Sequence, residues 1–227
     1  MHNVNGFLSV QAAKFSLFWP ESLPISALEV ELNEVFFDDS ASTTRYESEQ
    51  MKVREGDRVI DLYGGIPVFS AYALSKGAHV LAIEPNRELC HALCYSFHEE
   101  IVAGRLTVLH GRVGVDKAAQ QPTRSQQELP LQHGSGEAPI YSFDELFSRK
   151  ITSAVSLLRI NSVELAMTCL ESADTTLQTQ KPKLAIRMRK GESIDLVLTL
   201  LEKMGVSYSI QQQDYETFST AMLTPKP

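Results

Sequence analysis

The feature that most limits this chain is a pair of short apolar segments that each carry an acid near their end. VIDLYGGIPVF occupies residues 59–69 and VLAIEPN residues 80–86. The first reads as a strand over 58–62 that holds Asp61 and runs into Gly64 and Gly65. A helical pattern over 68–76 follows, with Gly77 as its stop. The second reads as a strand over 79–83, followed at once by Glu84, Pro85 and Asn86. Strand, glycine turn, helix and strand in so short a span make a βαβ unit. Its two strands must run parallel, joined by a right-handed crossover. Asp61 and Glu84 then stand on the same edge of the sheet, where such folds bind ligands.

The remaining chain extends this pattern. Residues 87–100 read as a helix with Leu89, Ala92, Leu93 and Phe97 on its apolar side, and 106–109 as a third strand. A capped turn over 142–147, a buried strand over 154–160 and a helix over 162–173 come next. A strand over 183–188 and a helix over 193–205 follow, and 207–211 with 217–223 form an antiparallel hairpin. Together these predict an α/β, Rossmann-like fold: a mostly parallel sheet, helices on both faces and a closing antiparallel pair. Residues 116–139, rich in Gln, Pro, Ser and Gly, read as a mobile loop within the domain. Residues 1–50 read as an N-terminal strand and helix segment packed on the 51–227 core, with a strand-like stretch over 28–37 and a short helix over 46–52.

Composition narrows the partners. The chain has 227 residues, 43% hydrophobic and 22% charged, enough for one sizeable core. A net charge of -7 argues against nucleic acid, whose phosphates need clustered Lys and Arg. The densest basic run, Arg187 to Lys190, closes an apolar stretch and reads as a solvated strand end. No apolar run reaches the roughly 20 residues that cross a bilayer, and the N-terminus lacks the basic start and apolar run of a signal peptide. Cys90, Cys94 and Cys169 form no CxxC pair. Unpaired thiols fit a soluble, cytoplasmic protein.

An acid at the end of the second strand of a βαβ unit can accept hydrogen bonds from both ribose hydroxyls of an adenosine. A turn glycine lets the backbone approach such a ligand. At these residues the sequence resembles the FkbM-type branch of the class I S-adenosylmethionine-dependent methyltransferases. Tyr46, Glu47 and Glu49 look like the acidic segment before the first strand. Residues 59–62 look like the first motif and 82–86 like the second. Residues 106–114 resemble the third strand and the turn beside the adenine, and 142–146 the segment before the fourth strand. Residues 158–173 follow the strand-to-helix stretch that the family usually writes IKIDVEGAELEVLKGA.

The resemblance implies S-adenosylmethionine as cofactor, with Asp61, Tyr63, Gly64, Gly65, Glu84, Pro85, His110 and Gly111 around it. It implies methylation of an oxygen on a small molecule or sugar. The departures cluster at the reacting end. Tyr63 and Pro67 stand at the outer positions of the family's G-x-G-x-G turn, Asn161 where the family has Asp, Val163 where it has Glu, and Arg159 where it has Lys. His110, Arg159 and Asn161 are the remaining candidates for catalytic work, and methyl transfer itself demands mainly alignment and sometimes a base. The same departures suit a catalytically inactive binding or scaffold subunit with a protein partner, and both readings stay open. No metal site is expected, because Cys90, Cys94 and His98 would spread over about 12 Å of helix. Trp19 with Phe15 and Phe18 reads as a segment packed on its own domain, or else as a partner patch.

Overall fold

A computed structural model of the chain describes residues 2–4, 6–12, 14–36, 51–115, 138–214 and 218–226. The chain opens with β1 (His2–Val4), β2 (Phe7–Ala12) and β3 (Phe15–Pro20), an antiparallel three-stranded sheet. Helix α1 (Ile25–Val35) leads to the βαβ unit: β4 (Arg58–Leu62), α2 (Val68–Ser75) and β5 (His79–Glu84). Then come α3 (Arg87–Ser96), α4 (His98–Val102), β6 (Leu106–His110) and the short β7 (Arg112–Val113). After them lie β8 (Ile140–Tyr141), α5 (Phe143–Ser148), β9 (Leu157–Ile160), α6 (Val163–Leu170) and α7 (Asp174–Gln180). The chain closes with β10 (Lys183–Arg189), α8 (Asp195–Lys203), β11 (Tyr208–Asp214) and β12 (Phe218–Pro225).

The main sheet has seven strands in the order β11-β12-β10-β9-β4-β5-β6. Pairs β10–β9, β9–β4, β4–β5 and β5–β6 are parallel. β12 runs antiparallel to both β10 and β11. This is the architecture predicted from the sequence, closing hairpin included. Its central strands β10, β9, β4 and β5 are apolar on both faces because helices cover both. One apolar cluster joins Val59, Phe69, Leu74 and Val80 to α1, α3 and the N-terminal sheet. The other joins Ile60, Leu62, Ile83 and Leu158 to α5, α6, α7 and α8.

Local chemistry explains most boundaries. Asn86 caps α3 by accepting from the N–H groups of Glu88 and Leu89. Ser142 and Glu145 form a reciprocal capping box on α5. The N-terminal segment packs on the core: Phe15, Leu17 and Trp19 share a cluster with Leu93 and Phe97. Trp19 is 2% exposed and its Nε1 donates to the Leu23 carbonyl, so its own domain covers it. Burying a side chain of that size contributes about 3 kcal/mol.

Three expectations require correction. The stretch expected as a strand over 28–37 is helical up to Val35, because Leu28, Leu32 and Val35 recur with helical spacing and pack together on one side of α1; residue 37 lies outside the described residues. The helix over 87–100 is two helices, separated at Phe97 (φ -130, ψ 33), whose buried ring meets Phe15 edge-on at 5.3 Å. Helix α7 was not foreseen, although Asp144 marks its start by accepting from the N–H groups of Thr175 and Thr176. Met51 and Lys52 are not helical. The rest of the predicted 46–52 helix lies outside the described residues, as does the Gln-rich stretch up to residue 137. Among the described residues no helix is long and apolar enough to cross a membrane.

Candidate functional site at the carboxyl edge of the sheet

Parallel pairing of β4 with β9 sets Asp61 beside Arg159. Arg159 Nη1 donates to Asp61 Oδ1 at 3.0 Å, and Nη2 donates to Glu31 Oε1 at 2.6 Å. The guanidinium also lies over the Phe69 ring, 5.2 Å from its centroid. Ser70 Oγ donates to Asp61 Oδ2 at 2.9 Å. All three charged residues are closed to solvent, at 2% exposure or less. Asp61, expected among the cofactor contacts, thus spends both carboxylate oxygens on Arg159 and Ser70. Arg159, a candidate for catalytic work, sits between two buried carboxylates. Sequence reasoning missed Glu31 and Ser70. Glu31 carried a readable signal, since it falls between Leu28 and Leu32 on a helix whose apolar side is buried.

The turn after β4 is built against these carboxylates. Tyr63 has a left-handed backbone (φ 55), and its N–H donates to the Ile83 carbonyl at 2.8 Å. That conformation is costly for a bulky residue, by about 1–3 kcal/mol. The Tyr63 ring is half-buried against the second core cluster, where the Val113 N–H donates to its hydroxyl. Burial raises its pKa, and the nearby Arg112 guanidinium opposes the shift. A side chain at Gly64 would run into the Asp61 carboxylate. One at Gly65 would meet Glu84 Oε2 at 2.5 Å and Leu89 Cδ1 at 2.6 Å. Pro67 stands at the N-cap of α2, where its missing N–H breaks no intrahelical bond.

Glu84 ends β5 and is 4% exposed. Its Oε1 accepts from the Asn86 N–H at 2.7 Å, and the Gly65 N–H also donates to the carboxylate. Burial pushes its pKa up to about 7, against the lowering effect of those two donors. The residues expected beside the adenine are held by other contacts. His110 Nε2 lies 3.0 Å from the Pro85 carbonyl, and the Gly111 N–H donates to the Glu84 carbonyl at 3.1 Å. A Cβ on Gly111 would meet the Tyr141 ring at 2.7 Å, so Tyr141 covers that backbone. Asn161 makes a long 3.5 Å contact to Arg187 Nη1. The edge therefore gathers Asp61, Tyr63, Gly64, Gly65, Glu84, Pro85, His110 and Gly111, and Asn161 follows Ile160 at the end of the neighbouring strand β9.

The three cysteines form no cluster. Cys90 and Cys169 are buried, and Cys90 Sγ donates to the Glu84 carbonyl at 3.3 Å. Burial pushes the Cys90 thiol up to about 12. Among the described residues no group of three metal-ligating side chains is brought together.

No family model matches this chain, and no curated protein does. Solved structures do. A methyltransferase FkbM from Methylobacillus flagellatus KT aligns with a TM-score of 0.58 at 17% identity, over 79% of this chain and 46% of that one. Trm5b from Pyrococcus abyssi aligns with a TM-score of 0.52 at 15% identity, over 99% of this chain and 57% of that one. The chain spans about half the length of either protein. At these identities the likeness is one of fold, and the chain has the Rossmann-like class I methyltransferase fold.

Proposed function

We propose that the chain is an S-adenosylmethionine-dependent methyltransferase of FkbM type that methylates an oxygen on a small molecule or sugar. The observation that carries this reading is the meeting of Glu84 with the Gly65 backbone at the carboxyl ends of two adjacent parallel strands. The residues present fit the adenosine half of the cofactor. Glu84 supplies two acceptor oxygens for a ribose diol, and Gly65 leaves no side chain between backbone and acid. When bound, the cofactor supplies an electrophilic methyl group on sulfonium sulfur. Glu84 holds the ribose end, and Asp61 and Arg159 hold the turn. Alignment of the acceptor then carries most of the rate, because methyl transfer needs little covalent help.

A specific observation favours a second reading, a catalytically inactive binding or scaffold subunit that partners another protein. Tyr63 packs its ring into the second core cluster, where the family's glycine would leave space, and Asn161 faces Arg187 rather than supplying a carboxylate. Calorimetric titration with S-adenosylmethionine, beside Glu84→Ala, separates the two. Saturable micromolar binding that the substitution weakens is expected of the enzyme. Silence at millimolar ligand would overturn the cofactor reading and leave the scaffold.

A further inference from the structure

We infer that Glu31, on the N-terminal helix, is a positioning residue for the glycine turn, acting through Arg159 and Asp61. The chain of contacts is continuous and closed to water. Glu31 Oε1 accepts from Arg159 Nη2, Arg159 Nη1 donates to Asp61 Oδ1, and the Asp61 carboxylate fills the place that a Cβ on Gly64 would take. Ser70 Oγ holds the other Asp61 oxygen and anchors it to α2, the helix that the turn feeds. An arginine donates in a planar fork, so fixing one arm on Glu31 fixes the direction of the other. Without Glu31 the guanidinium loses the acceptor that fixes one arm of its fork, and its hold on Asp61 slackens. The Asp61 carboxylate then loses its fixed place against Gly64, and Gly65 loses its register against Glu84. An element outside the βαβ unit thereby governs the geometry of that unit's turn. As regards cofactor affinity this inference rests on the proposed function; as regards the turn it does not.

The first arm of the test is free of ligand. Hydrogen exchange is followed by mass spectrometry across residues 62–69 in the wild type, Glu31→Gln and Glu31→Asp. Glu100→Gln, which breaks the Glu100–Arg105 pair, serves as the control. Glu31→Gln should speed exchange of the Tyr63 and Gly65 amides about tenfold while β12 stays protected, because local opening is decoupled from global unfolding. Glu31→Asp should restore part of that protection. Unchanged exchange over 62–69 in folded Glu31→Gln overturns the inference, as does loss spread evenly over the whole sheet. Should Glu31→Gln fail to fold, Arg159→Lys, which keeps the charge and removes the fork, must show the same local effect. In the second arm S-adenosylmethionine is titrated into the same variants, and Glu31→Gln should weaken binding about tenfold. Wild-type silence in this arm overturns the proposed function and leaves the exchange arm to decide the positioning role. Wild-type binding with unchanged affinity in Glu31→Gln overturns the link from turn to cofactor.

Discussion

Arg159 and Asp61 face each other across neighbouring parallel strands, 3.0 Å apart and closed to solvent. The pair fixes the turn at the centre of the carboxyl edge, and Glu31 joins it from a helix outside the βαβ unit. A buried charge with ready partners is stable only while those partners remain, since its desolvation cost is large.

Arg159→Met should therefore destabilise the protein strongly, by about 3–5 kcal/mol, because it strands two buried carboxylates. Urea denaturation measures this. Adding Glu31→Gln and Asp61→Asn to Arg159→Met should recover part of the loss. A single-site cost below about 1 kcal/mol, the range of exposed pairs, would contradict the buried geometry.

Glu84 predicts a pH dependence of stability. Its folded pKa is raised to about 7 from an ordinary value of 4.5, so between those limits the folded state holds the proton more tightly than the unfolded one. Stability attributable to Glu84 is thus greatest below pH 4.5 and falls as pH rises through 7. The fall amounts to about 3 kcal/mol in all. In Glu84→Gln that share of the slope should vanish. Parallel wild-type and variant curves from pH 5 to pH 8 would show that the group does not titrate there.

Gly65→Ala tests how closely the backbone and the acid approach. The added methyl meets Glu84 Oε2 at 2.5 Å and Leu89 Cδ1 at 2.6 Å, so the carboxylate must leave its place beside the Gly65 N–H. Overpacking of this kind costs about 1–3 kcal/mol. Thermal melting should show that loss, and titration with S-adenosylmethionine should show weaker binding than the wild type. A variant matching the wild type in both would mean that the turn yields freely.

How much of this was legible beforehand differs from element to element. The acid-ended strands, the glycine turn, the Ser142 cap and the closing hairpin follow from local patterns: apolar runs of strand length, a capping box, a stop glycine. These act over a few residues and leave their mark in the sequence. The nature of the stretch beginning at Leu28 was ambiguous because glutamates interrupt its apolar positions, and burial against the core decided for helix as far as Val35. The job of Asp61 was not legible at all. Its partner Arg159 lies 98 residues away, and Glu31 lies 128 residues from Arg159. The order of elements and the edge that carries the acids can be read from the residues alone, since hydrophobic period and turn chemistry are local. That Asp61 serves an arginine, that Glu84 meets the Gly65 backbone and that Tyr63 packs against the second core cluster emerges from the folded chain. Each depends on where distant segments meet, and a charge buried there is held by a partner that only the fold brings to it.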